Sequence, residues 1–233
     1  IRWISLRTER PGKFMAPTSM ATILTRRLSP PRLGHSSPSG SGAGNLAAMD
    51  AFEAIMTRRS IARTSERLCD RDLISRLIEA GTRAPTHFLT QPWRFVVLAG
   101  DARLELGEAF AAAARREGRD PEPERGKALR APVIICVIEH PKLQHARVVE
   151  TEEHYAIGAA MQNILIAAHA EGLAAMIRSG RATGLPEVRT YLGVGDDELV
   201  AGMIYVGYPR EDEPERELTR RAPVAEVTEW RGW

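Results

Sequence analysis

The stretch from Glu152 to Glu171 limits the fold most, because it reads as one long helix that is apolar on nearly every side. Ile157, Met161, Ile164, Leu165, Ile166, Ala167 and Ala168 leave it no continuous polar face, and Gly172 marks its end. Such a helix has to be covered all round. In a chain of 233 residues the cover comes either from the rest of one domain or from a second subunit. Gln162, Asn163, His169 and Glu171 interrupt the apolar run from Tyr155 to Ile177, so no membrane span is expected there.

The elements around this helix follow from pattern and punctuation. Phe95-Val96-Val97-Leu98 reads as a buried strand. Ala131 to Ile138 is apolar on both faces and therefore predicts a central strand. Leu173 to Ile177 is a short strand, and Leu199 to Pro209 is the last one. Asp50 and Glu53 stand at the N-cap and N3 positions of a helix through Phe52, Ile55 and Met56. A second helix is capped by Asp70 or Asp72 and ends at Gly81; others run from Asp101 to about Glu117 and from Pro186 to Leu192. Residues 118–126 read as an exposed, mobile excursion and a candidate lid. Gly193-Val194-Gly195 lacks the third glycine of a dinucleotide loop and is read as a turn.

Charge separates the chain into two parts. The net charge is +2, but residues 1–48 hold seven Lys/Arg against one acid, leaving 25 basic and 29 acidic residues in the rest. Residues 1–48, rich in Arg, Ser, Pro and Gly, are expected to be a disordered extension, either transit-peptide-like or upstream of a working start at Met49. Residues 49–233 are expected to form the folded domain, with a polar tail from about 210. A slightly acidic body gives no electrostatic case for nucleic acid or anionic membrane. Cys69 and Cys136 form no CxxC and are read as free thiols in a reducing compartment, which places the protein in the cytoplasm.

Two short stretches carry the chemistry. Arg58-Arg59-Ser60-Ile61-Ala62-Arg63 puts three arginines beside a serine, a compact set of anion donors; the competing reading is a solvated basic turn. In Arg83-Ala84-Pro85-Thr86-His87-Phe88-Leu89-Thr90-Gln91-Pro92-Trp93-Arg94, two prolines restrict a loop holding a cation, a titratable ring and an amide. That loop either holds something planar and polar or is a rigid connector whose aromatics fill core. The chain has no GxSxG, HExxH or P-loop, and no nucleophile with an obvious base. His140, His145 and His154 lack the partners of a metal site and are read as solvent-facing; no metal is expected. An enzyme built this way borrows its reactive group from a cofactor, and the arginines suit a phosphorylated planar one.

Arg58-Arg59-Ser60, Ala84-Pro85, Gln91-Pro92-Trp93-Arg94-Phe95, Gln162-Asn163 with Gly172, and Val206-Gly207-Tyr208-Pro209 together resemble the FMN-dependent nitroreductase family. Arg83-x-Ala-Pro-x-His87 and Arg178-Ser179-Gly180 are similar to its small NAD(P)H nitroreductase subgroup, typified by YdjA. The resemblance covers Met49 to about Pro209. It implies an α+β fold, a mainly antiparallel sheet flanked by helices, in an intertwined homodimer with FMN at the interface. It also implies hydride transfer from NAD(P)H through flavin N5 to nitroaromatics, quinones or similar acceptors, without a catalytic side chain. By position, Arg58, Arg59 and Ser60 would bind the FMN phosphate and ribityl chain. Arg83 and His87 would contact FMN, His87 from the neighbouring subunit, and Ile177, Arg178 and Ser179 would line the flavin from the other side. Ala167, Ala168, His169, Ala170, Glu171 and Gly172 match the segment for the nicotinamide nucleotide. Leu89 stands where the wider family often has Asn, and Ile177 where the subgroup has Trp; Arg220 and Arg221 are candidates for the C-terminal partner of the phosphate. Reductive dehalogenation, flavin fragmentation or a non-catalytic flavin-binding dimer remain alternatives on the same fold.

Overall fold

The computed structural model describes residues 49–144, 146–214 and 218–233, so the 1–48 extension and His145 lie outside the described residues. Four strands form one antiparallel sheet: β1 (Trp93–Ala99), β2 (Val133–Glu139), β3 (Ala174–Arg178) and β4 (Leu199–Gly207), in the spatial order β1-β2-β4-β3. Every residue of β2 is buried, as an apolar run without polar alternation requires of a central strand. Its pleat divides the core. Val133, Ile135 and Val137 point to one face, and Ile134, Cys136 and Ile138 to the other.

Helices cover both faces. On the first lie α2 (Arg71–Thr82) and α5 (Glu150–Ala170), packing Leu73, Leu77, Ile157, Ile164 and Leu165 against the sheet. On the second lie α3 (Asp101–Arg116) and α6 (Pro186–Tyr191), which bring Leu106, Phe110, Val188 and Leu192. A short α1 (Ala51–Thr57) precedes them, opened by Asp50, whose carboxylate accepts from the Glu53 N–H at 2.9 Å. The expected α+β fold with an antiparallel sheet is what the chain forms.

Three expectations change. The Phe95–Leu98 segment was expected to be buried, yet β1 pairs only with β2 and sits at the sheet edge; Leu98 is buried while Val97 is 42% exposed. Gly81 does not end α2, which runs on to Thr82. A Cβ at Gly81 would come within 2.8 Å of Ile164 Cγ1, so this glycine lets α2 approach α5 closely. Residues 118–126 are not a loose lid. They contain α4 (Pro121–Arg125), capped by Asp120, docked on α3 through Arg125–Glu108 and braced by Arg119, which bonds Glu117 and Glu124.

Helix α5 meets the sheet and α2 through Ala156, Ile157, Ala160, Ile164, Leu165 and Ala168. Gly172, at φ +72°, closes it in the left-handed conformation that suits glycine, and the Leu173 N–H returns to the Ala168 carbonyl at 2.8 Å. The described residues do not cover it all round. Tyr155, Gly158 and Gln162, spaced three and four apart, form one exposed stripe. No helix among the described residues is long and apolar enough to cross a membrane.

Candidate functional site

After α1 the backbone turns extended at Arg58 and lies along β3 as a strap. The Ile61 N–H donates to the Ala175 carbonyl (3.2 Å) and the Ser65 N–H to the Tyr208 carbonyl (2.9 Å), so residues 58–65 are pinned to the sheet edge. Between strap, α1 and α5 opens a cavity of about 470 Å³. Ile55 and Met56 give it an apolar wall; Arg58, Arg59, Ser60, Gln162, Thr219 and Arg221 give it donors. Arg58 Nη1 is buried with no hydrogen-bond partner, which an arginine tolerates poorly unless an anion completes it. Of the two candidate C-terminal basic residues, Arg221 lines this cavity.

The arginines mark their surroundings electrostatically. Burial, reinforced by Arg58 and Arg59, holds the His169 imidazole below its usual range. His169 Nε2 lies 2.8 Å from Thr57 Oγ1, joining the last turn of α5 to the end of α1. In the rest of the 167–172 segment Ala170, Glu171 and Gly172 are exposed. Ala168 is buried, and Glu171 accepts two bonds from Arg76 at 3.2 Å each. A wider recess of about 680 Å³ beside Glu171 is walled by Asp70, Asp72, Arg71 and this ion pair, a mixed lining with more acids than bases.

The remaining expected residues distribute unevenly. Ile177 is half-buried on the α5 face, where it and Met161 pack against the core and both approach Gly202. The strand's alternation sends Arg178 to the opposite face, where its guanidinium carbon stands 5.2 Å from the Tyr205 ring centroid and Nη2 donates to the Ala62 carbonyl at 3.4 Å. Arg178 Nε is buried without a partner, and burial together with Arg130 pushes its pKa down. Ser179 is exposed where the chain leaves β3. Arg83 caps α2 and pairs with Glu79 at 2.8 Å. His87 stands with Nδ1 3.8 Å from Glu152 Oε1, in the first turn of α5. Ten residues of helix separate Glu152 from Gln162, about 15 Å along the axis. Within one chain, therefore, Arg58, Arg59, Ser60 and Arg221 come together, and His87 does not join them.

The 83–92 loop is built more tightly than its sequence shows. Phe88, Leu89 and Gln91 have φ of 51°, 55° and 48°, a left-handed conformation that costs non-glycine residues energy. Glu153, fully buried, holds the loop: Oε1 accepts from Thr90 Oγ1 (2.7 Å) and Oε2 from the Lys142 N–H (3.0 Å). The His140 N–H donates to the Pro92 carbonyl at 2.7 Å. Sequence reasoning missed Glu153 because an acid in a helix's first turn is the ordinary partner of the helix dipole.

Two histidines read as solvent-facing also partner carboxylates; His154 is exposed as expected, whereas His140 is half-buried. His154 Nδ1 is 2.7 Å from the buried Glu139, whose pKa burial raises, and His140 Nδ1 is 3.2 Å from Glu198. Arg94, grouped with the loop's polar residues, forks onto Glu198 at 3.0 and 2.6 Å. This bond above all pushes the Glu198 pKa down to about 2. Among the described residues no group of three or more His, Cys, Asp or Glu is arranged to hold a metal ion.

With this geometry in place, the comparisons with known proteins are specific. The family model described as "Nitroreductase family" matches residues 55–208. The Escherichia coli K12 protein named "Putative NAD(P)H nitroreductase YdjA" is 33% identical over 165 residues, which span 70% of this chain and 90% of that protein. Among solved structures, a nitroreductase-like protein from Bacillus cereus superimposes with a TM-score of 0.70 at 22% identity, covering 79% of this chain and 97% of its own. A "putative nitroreductase in complex with fmn" from Desulfovibrio desulfuricans does so at 0.61 and 28% identity, covering 78% and 97%.

Proposed function

This chain belongs to the nitroreductase family, and from that premise we propose that it is an FMN-dependent oxidoreductase using NAD(P)H to reduce electron-poor acceptors. The observation that carries the reading is the buried, unpartnered Arg58 Nη1 in a cavity that also holds Arg59, Ser60, Thr219 and Arg221. That donor set fits a phosphate monoester: guanidinium groups pair with its oxygens two at a time, and hydroxyls reach the rest. The FMN complex of the Desulfovibrio desulfuricans relative supports the choice of flavin. Bound there, the flavin would supply the redox chemistry, its N5 carrying hydride between NAD(P)H and a nitroaromatic or quinone in a ping-pong reduction.

The protein's part is binding and geometry. Arg58, Arg59, Ser60 and Arg221 hold the phosphate end, and Ile55 and Met56 form the apolar wall. The 83–92 loop, locked by Glu153, presents His87 as a rigid contact to the site of a second subunit. The uncovered Tyr155–Gly158–Gln162 stripe, the exposed Phe52 and Ile55 of α1, and exposed Val224, Val227 and Trp230 in the tail support a homodimer joined along α5. We place this dimer in the cytoplasm, with residues 49–233 as the working domain and the 167–172 segment beside the nucleotide.

Purification tests the reading directly. The expected protein is yellow, is bleached by NADPH in the absence of oxygen, and recovers its absorbance on addition of nitrofurazone. A colourless dimer that does not take up added FMN contradicts it.

A further inference from the structure

The sequence groups Arg58, Arg59 and Arg63 as one set of anion donors, but the folded chain divides them. Arg58 and Arg59 line the cavity beside α5; Arg63, beyond the Ile61 tether to β3, lines a separate recess of about 360 Å³. Arg130 and Arg210 converge on that recess with Thr64. Thr64 Oγ1 is buried and has no hydrogen-bond partner. Its backbone is fixed by an N–H donated to the Arg130 carbonyl at 3.3 Å. Gly207 tightens the fit: a Cβ there would stand 2.6 Å from both Thr64 Oγ1 and Pro132 Cδ. Arg210 forks onto Asp212 at 2.7 Å twice, whereas Arg63 and Arg130 form no ion pair among the described residues. Glu66 is the acid in the lining, set against three arginines. Pro123 and Gly126, from the docked 118–126 segment, complete a wall that does not have to move.

We propose that this recess is a second anion site, built for a phosphate group held by Arg63, Arg130 and the Thr64 hydroxyl. Two guanidinium groups and a hydroxyl donor match the oxygens of a tetrahedral dianion, and the Arg210 charge adds to the local field. Arg63 and Arg130, neither held in an ion pair among the described residues, repel one another, and a bound dianion relieves that repulsion. Phosphate can come from two sources: the free inorganic ion, or the phosphate of a nucleotide such as the 2′-phosphate of NADPH. The nucleotide source rests on the function proposed above; the anion site itself does not.

The test is calorimetric titration of the full, flavin-loaded chain at constant ionic strength with inorganic phosphate, with 2′-AMP and with adenosine. The flavin occupies the Arg58 cavity, so added phosphate reports on the second recess. Saturable phosphate binding is expected, weakened about tenfold or more in Arg63→Ala and in Arg130→Gln, the size of one lost charge-assisted bond. Flavin absorbance and the melting temperature should stay unchanged in Arg63→Ala, an exposed residue. Binding of 2′-AMP about tenfold tighter than phosphate, with none of adenosine, assigns the site to a nucleotide. Equal affinities assign it to the free ion. No saturable phosphate binding, or binding that neither substitution weakens, overturns the proposal. A protein that proves flavin-free yet binds phosphate through Arg63 and Arg130 refutes the flavin reading and leaves this site standing.

Discussion

The two ends of α5 treat their charged residues in opposite ways. At its first turn Glu153, Glu139 and Glu198 are buried or nearly so, and each has its partners inside the chain: Thr90 and Lys142, His154, and Arg94 with His140. Toward its last turns, Arg58 is half-buried with a buried, unpaired Nη1, beside a cavity open to solvent. A completed buried network stiffens the fold, whereas an incomplete one is a cost that ligand binding can remove. The first end therefore acts as scaffold for the 83–92 loop, and the second is where the proposed function puts the ligand.

The sharpest way to break this contrast is Glu153→Ala. It strands the Thr90 hydroxyl and the Lys142 N–H and leaves a void, so a loss of about 3 kcal/mol is expected in chemical denaturation. Glu153→Gln should lose less, because the amide oxygen keeps one acceptor. A variant as stable as the parent would show that Glu153 does not hold the loop.

A smaller effect is expected at Glu198. Its folded pKa, about 2, lies below the ordinary value of 4.5, so its stabilisation is present above pH 4.5 and lost as pH falls through 2. Allowing for solvent screening of the partly exposed Arg94, the contribution is about 1–2 kcal/mol. Glu198→Gln should lower the melting temperature at pH 7 and narrow the gap to the parent between pH 4.5 and 2. An unchanged gap over that window would count against the Arg94 pairing.

The smallest shift belongs to His169. Its folded pKa is depressed, so its contribution is complete above its unfolded value of 6.5 and declines as pH drops below it. An anion at Arg58 and Arg59 would offset the repulsion that depresses it, so NMR titration should find a higher His169 pKa with FMN bound than without. No difference would mean that the bound phosphate lies elsewhere.

What the sequence made legible were the features whose causes are local. The run Val133–Ile138 is central because it is apolar on both faces; Asp50 and Gly172 cap helices as their chemistry predicts. Arg58, Arg59 and Ser60 were recognisable as neighbours in a donor set. The illegible features depend on partners far away in the chain. Thr90 and Glu153 are 63 residues apart, and Arg94 and Glu198 are 104 apart. Nothing local distinguishes Arg94, spent on an internal fork, from Arg58, left unpaired. Gly81 resembled a helix stop because the sequence does not show Ile164 packed against it. The 118–126 segment resembled a lid because its ion pairs reach back to Glu108 on α3.

The central claim, that Arg58 waits for a phosphate, is tested most directly by FMN affinity. Measured by fluorescence quenching on apoprotein, Arg58→Ala should weaken FMN binding about tenfold to a hundredfold, while riboflavin, which lacks the phosphate, should bind parent and variant alike. The protein should stay folded. Equal FMN affinity in parent and variant, or an equal loss for riboflavin, would contradict the account.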